Sequence, residues 1–332
     1  MYVWNLRAVA IAIALAIPAA SQSPQPPVVA LATGTSLTLA TASGQIAQRI
    51  PLKRPVYAFA LSRDRKLLAT VAPDTQTGGS LSLLNLQTHT QTRLTTGHLY
   101  FQAKDLNKGE TEVYDDPQFS PDGRSLAFAI HTDNPGDGND AVMDSGPIAV
   151  MDLATRKVRV LHSTTKIDGQ GPCFANDPMW SPDGKWILFN CEDGAFITDA
   201  QGAELRGLKW GTDRDASSYA VSWVGNGCVL YARVVDAAPG VHYYDAAEAL
   251  LFNWHTGKSQ SPKPLPGFAK RSVAGLQEAS PSAVIRRTDK ELAIETDEKT
   301  WSFPESMWTR SKPPAAHLLE SWPSDHIPTG CE

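Results

Sequence analysis

Acidic side chains are the first groups in this sequence that could do chemistry. "DDPQFSPDGRSLAF" (Asp115–Phe128) and "NDPMWSPDGKWILF" (Asn176–Phe189) each place an Asp before a Pro, at Asp116 and Asp177, and Asp115 adds a third carboxylate beside the first. Carboxylates repeated at equivalent places can share a cation or a cationic side chain, because like charges held close favour a counter-cation. The alternative use is structural, a carboxylate accepting backbone N–H groups at a strand start next to proline. "HTDNPGDGNDAVMD" (His131–Asp144) carries Asp133, Asp137, Asp140 and Asp144, with Gly136 and Gly138 for tight turning. Calcium takes about six to eight oxygens, so it is the one cofactor this loop suggests. The spacing matches an EF-hand loop only in part, with Pro135 where an oxygen ligand belongs, and a solvated acidic loop is the alternative. "KGETEVYDD" adds Glu110 and Glu112, so an acidic approach is expected here, attracting basic partners mainly through association rate.

Motifs for covalent catalysis are missing. The sequence has no Gly-x-Ser-x-Gly elbow and no His-Glu-x-x-His helix. His98, His131 and His242 fall in expected loops, where a solvated histidine is the ordinary outcome. "DGQGPC" (Asp168–Cys173) lies between no strand and helix that would make it a phosphate cradle. No catalytic residue is assigned.

The 332 residues are enough for one large all-β domain or two ordinary ones. Hydrophobic residues make up 42% and charged residues 20%, which supports a well-filled core, and the net charge of −5 disfavours nucleic acid and anionic membrane as general partners. The start, "MYVWNLRAVAIAIALAIPAASQS", has one cation, an apolar run from Ala8 to Ala20, and small residues at Ala19 and Ser21. That pattern is a secretory signal over residues 1–21, with an uncleaved anchor as the alternative. No later segment is long and apolar enough to span a membrane. Export places Cys173, Cys191, Cys228 and Cys331 in an oxidising compartment, where an even count suggests disulfides.

The acidic pairs are positioned by a repeated hairpin. "PMWS" and "KWILFN" have strand composition, and Ser-Pro-Asp-Gly between them is a tight turn: Pro182 presets φ, Asp183 follows, and Gly184 takes the left-handed exit. Pro121, Asp122 and Gly123 repeat it. Looser copies read "YAFALSRDRKLLATV" (Tyr57–Val71), "YAVSWVGNGCVLYA" (Tyr219–Ala232) and "SAVIRRTDKELAIET" (Ser282–Thr296). A second strand pair follows each of the first four, as in "GPIAVMDLATRKVRVL" and "GAFITDAQGAELRGL". Four strands per unit, recurring at about 40–60 residues, mark a β-propeller.

The pattern Asp-Pro-x-aromatic-Ser-Pro-Asp-Gly-basic-x-aliphatic-x-Phe, at Asp116–Phe128 and Asp177–Phe189, resembles the TolB-like β-propeller repeat. The resemblance extends over roughly residues 30–305. It implies an all-β fold of four-stranded blades over residues 22–305, six in number, with five and seven as alternatives. An early segment, "TSLTLATASGQIAQRIPL", supplies outer strands for one more blade or completes the last one, which would close the ring. Residues 306–332 form a proline-rich tail packed on or extending from the propeller. In this architecture the strand entered through Asp-Pro lines the channel, and the Ser-Pro-Asp-Gly turns lie on the opposite face. Cys191 ends a strand whose opposite position is near Asn176, which makes Cys173–Cys191 a reasonable pair; Cys228–Cys331 follows by elimination.

The resemblance implies a monomeric, non-catalytic scaffold in the periplasm or secreted, engaging periplasmic or envelope proteins through the loop face and channel mouth. The mixed domain that precedes the propeller in the Tol-system protein has no counterpart among the few residues after the leader. The alternatives are a propeller hydrolase or lyase acting on saccharide or peptide, and a calcium-binding module.

Overall fold

The computed structural model of the chain describes residues 27–33, 35–56, 58–74, 78–95, 98–100, 111–133, 146–161, 175–191, 194–208, 218–233, 248–262, 276–280, 283–287, 291–296, 300–304, 315–318 and 327–332. Every element in them is a β-strand or a turn, arranged as six antiparallel four-stranded blades in a ring. Blade 2 comprises β4 (Ala58–Leu61), β5 (Leu67–Asp74), β6 (Gly78–Asn85) and β7 (Gln91–Arg93). Blade 3 comprises β8 (Thr111–Phe119), β9 (Ser125–Asp133), β10 (Ile148–Asp152) and β11 (Val158–Val160). Blade 4 follows with β12 (Asn176–Trp180), β13 (Trp186–Cys191), β14 (Gly194–Asp199) and β15 (Leu205–Leu208). Blade 5 contains β16 (Ser218–Val224), β17 (Cys228–Arg233), β18 (Glu248–Asn253) and β19 (Lys258–Gln260).

The last two blades depart from expectation. Blade 6 is β20 (Leu276–Ala279), β21 (Ala283–Arg287), β22 (Glu291–Thr296) and β23 (Thr300–Pro304). The stretch Ser282–Thr296, read from sequence as an inner hairpin, is instead the second and third strands. The inner turn lies earlier, where the Ser280 N–H donates to the Ala283 carbonyl at 2.9 Å. The blade therefore has its own outer strands. Blade 1 takes the early segment as β1 (Pro27–Thr33), β2 (Ser36–Thr41) and β3 (Ile46–Pro51). Its inner strand comes from the far end of the chain: β24 (Ala315–Leu318) pairs antiparallel with β1, Val29 opposite Leu318. This pairing covers the edge that β1 would otherwise expose.

Burial explains why the blades stack. Six apolar clusters each join neighbouring blades, so that the sixth packs Val28 and Val29 of blade 1 against Ala283 and Ile285 of blade 6. The repeated aromatic adds a polar stitch. The Trp180 indole N–H donates to the Gln118 carbonyl at 3.2 Å, and that of Trp223, the equivalent residue one blade on, donates to the Met179 carbonyl at 2.9 Å.

The tight turns share one construction. In blades 2, 3 and 4 the hydroxyls of Ser62, Ser120 and Ser181 donate to Asp64, Asp122 and Asp183 at 2.7, 2.6 and 2.7 Å. Each carboxylate also accepts the N–H two residues on, at Lys66, Arg124 and Lys185. Gly123 and Gly184 take φ of +70° and +73°, and Arg65 takes +58° in the looser copy. Cys228 and Cys331 form a disulfide with a Cα–Cα distance of 4.9 Å, fixing the tail to blade 5 on this turn face. There the Gly227 N–H donates to the Cys331 carbonyl at 3.0 Å, and Asn253 Nδ2 donates to that of Gly330 at 2.6 Å. No helix among the described residues is long and apolar enough to cross a membrane.

Candidate functional site at the channel mouth

The inner strands of blades 3 and 4 bring Asp116 and Asp177 together. Both sit at β-bulges, where the register slips between Asp115 and Gln118 and between Asn176 and Met179. Both have positive φ, +46° and +48°, a conformation that Asp adopts more readily than most residues. A bulge of this kind re-aims a side chain out of the regular pleat. The Asp177 N–H donates to Asp116 Oδ2 at 3.2 Å, a bond from one blade to the next. Asp116 lies well inside β8 rather than at a strand start, since β8 extends back to Thr111. Asp115 accepts the Asp116 N–H on its own carboxylate at 2.9 Å.

The line of polar contacts continues into blade 5. Asn190, 5% exposed in β13, accepts the Ala220 N–H on Oδ1 at 2.7 Å, and its Nδ2 donates to the Ala220 carbonyl at 3.1 Å. The same Nδ2 reaches Asp177 Oδ2 at 3.4 Å. Three successive blades are thus tied at the mouth by Asp116, Asp177 and Asn190. Gln118 reinforces the first junction, its Oε1 accepting the Trp180 N–H at 2.8 Å. Neither Asn190 nor Gln118 was singled out in the sequence. The signal was an amide inside the apolar run "WILFNC", where an unpaired polar group would be costly.

Glu112 corrects the expectation of an acidic approach. Its side chain is fully buried. The carboxylate accepts the N–H groups of Leu99 and Tyr100 at 2.6 and 3.0 Å and the Tyr114 hydroxyl at 2.7 Å. Burial and then the bond to Glu112 push the Tyr114 hydroxyl far above its ordinary pKa. Glu112 therefore fixes the chain that leads from blade 2 into blade 3.

The remaining candidates divide plainly. Asp133 ends β9, while Asp137, Asp140 and Asp144 lie outside the described residues, as do Glu110, His242 and Cys173. Among the described residues, no group of three or more His, Cys, Asp or Glu side chains could hold a metal ion. His131 is buried in β9 opposite Val113, and His98 is exposed. Cys191 is buried and disulfide-bonded. At the mouth Asp177 is exposed, beside the carboxylate of Asp116 and the amide of Asn190.

No family profile matches the sequence, and no curated protein does. Among solved structures, TolB from Acinetobacter baumannii is similar over 89% of this chain and 67% of that one, with a TM-score of 0.53 at 18% identity. A structure described as TolB from Agrobacterium tumefaciens matches 70% of this chain and 76% of its own, with a TM-score of 0.46 at 17% identity. The fold of this chain is that of a TolB-like six-bladed β-propeller.

Proposed function

We propose that the protein is an extracytoplasmic interaction scaffold that binds a periplasmic or envelope protein at its channel mouth. The observation that carries this reading is the Asp116–Asp177–Asn190 line, which presents an exposed carboxylate on a frame shared by three rigid blades. A closed ring with fixed inner strands suits recognition, because little conformational entropy is lost on binding. The disulfide between Cys228 and Cys331 supports an oxidising location. Asp177 would meet a lysine or arginine of the partner and contribute mainly to its association rate.

The test is capture from an envelope extract with the wild-type protein, Asp177→Arg at the mouth and Lys185→Glu on the turn face. A specific partner, identified by mass spectrometry, should be captured by wild type and Lys185→Glu and lost with Asp177→Arg. Loss with both variants, or no specific partner, overturns the reading. Turnover of a saccharide or peptide by the wild type would favour a propeller enzyme instead.

A further inference from the structure

We propose that the turn face of blades 2 and 3 rests against an anionic membrane surface, with the channel mouth directed away from it. Charge on this face is unevenly distributed. The turns of these two blades expose Arg63, Arg65, Lys66, Arg124, Arg156 and Lys157. They also contain three carboxylates, Asp64, Asp122 and Asp152, each bonded within its own turn and Asp64 also paired with Lys66 at 3.6 Å, so cations remain in excess by six to three. Asp152 accepts both the N–H and the hydroxyl of Thr155, at 2.7 and 2.8 Å, as Asp64 and Asp122 accept their serines. In blade 3 the inner and outer turns abut, the Leu153 N–H donating to the Arg124 carbonyl at 3.0 Å, so Arg124 lies in the turn next to the one that carries Arg156 and Lys157.

The equivalent loops of blades 1 and 4 lack this excess. The outer turn of blade 1, residues 41–45, is uncharged, and in blade 4 Lys185 and Arg206 are offset by Asp183, Asp199 and Glu204. A net charge of −5 conceals such a patch, because at physiological salt a surface field is set by charges within about 8 Å.

The second observation is where the chain enters the fold. β1 begins at Pro27 on this same face, and the Arg65 guanidinium donates to the Pro27 carbonyl at 3.2 Å. The preceding residues contain the apolar run Ala8–Ala20. Where that run is retained as an anchor, the alternative to a cleaved signal, the face that bears Pro27 and the basic turns is the one held nearest the headgroups. Anionic headgroups are the matching chemistry, with each Lys or Arg near such a surface adding to the attraction.

Co-sedimentation of the purified protein with vesicles tests this. With vesicles of about one-third phosphatidylglycerol, partition should exceed that with neutral phosphatidylcholine about tenfold at about 0.05 M salt, and fall steeply by about 0.3 M. The triple variant Arg63→Glu, Arg124→Glu, Lys157→Glu should lose this partition while melting as the wild type does. Lys53→Glu, an exposed charge at the mouth end, should keep it. Four results overturn the inference: no partition, equal salt-insensitive partition to neutral vesicles (which assigns binding to the apolar run), an equal loss with Lys53→Glu, or retention on polyglutamate without vesicle binding (which assigns the patch to an acidic protein).

Discussion

Blades 1 and 4 share a plan and differ in how the chain supplies it. Blade 4 is written in one passage, β12 to β15, and its strands pair through short connections. Blade 1 joins the start of the described chain to its end, β1–β3 with β24, and the inner strand has four residues. One blade is stabilised by its own hairpins, whereas the other depends on bringing distant segments together against chain entropy. The tail's anchorage to blade 5, through Cys228–Cys331 and the contacts of Gly227 and Asn253, is what offsets that cost.

The most severe way to break this asymmetry is deletion of residues 315–332. Without β24 the β1 edge lies open, and the protein should lose its cooperative thermal transition and elute as soluble aggregate. Retention of a sharp melt would show that blade 1 needs no inner strand. Next in size is the disulfide, which closes a sequence separation of 103 residues. Cys228→Ser should cost about 2–5 kcal/mol and lower Tm by roughly 3–8 °C by calorimetry, and a reductant, which also opens the disulfide of Cys191, should lower the wild type at least as far.

Two glycine variants sharpen the comparison. Gly225 has φ of +63°, and a Cβ there would lie 2.0 Å from the Cys331 carbonyl oxygen, whereas Gly123, with φ of +70°, has nothing within 4 Å. Gly123→Ala should cost about 1 kcal/mol, from the left-handed backbone alone. Gly225→Ala must also displace the tail, so it should cost about 3 kcal/mol or more in urea unfolding and expose Cys331 to reductant. Equal losses would show that the tail yields freely. Glu112→Gln should cost about 2 kcal/mol, since one of its two buried acceptor oxygens becomes a donor facing the N–H of either Leu99 or Tyr100.

The smallest expected effect is on acid stability. Asp64 and Asp122 have pKa values below the ordinary 3.8, chiefly because Ser62 and Ser120 hydroxyls donate to them. For Asp183 burial works upward but is outweighed by Ser181 and the Lys185 N–H, so the net direction is also down. Depressed folded values mean stability that is present above about pH 4 and lost as pH falls below it. Ser120→Ala should flatten the acid limb of a Tm-against-pH curve slightly, because it lowers Tm more at neutral pH than at low pH, where the protonated Asp122 no longer contributes.

Much of the fold was legible because turn chemistry is local. Ser-Pro-Asp-Gly states its hydrogen bonds in a handful of residues, and two near-identical copies reveal the period. The turn at Ser280 was missed because Pro281 and Ser282 follow without the Asp that marks the others. β24 was invisible for a different reason: Ala315–Leu318 is a strand only through its pairing with β1, which no local pattern announces. At the mouth the Asp-Pro pairs identified the right strands, but the bond from Asp177 to Asp116 depends on how blades abut. Glu112 looked like a surface acid because its partners, Leu99 and Tyr100, come from another segment.

Closure by the last strand also sets an order of events during synthesis. Blades 2 to 5 can pair as soon as each emerges, since their partners are neighbours in the chain. β1, made early, must wait with its edge open until Ala315–Leu318 has been produced, and the Cys228 thiol waits a sequence separation of 103 residues for Cys331. A cell making this protein must therefore shield an unfinished sheet for most of the time translation takes, and the finished ring arrives in one late step.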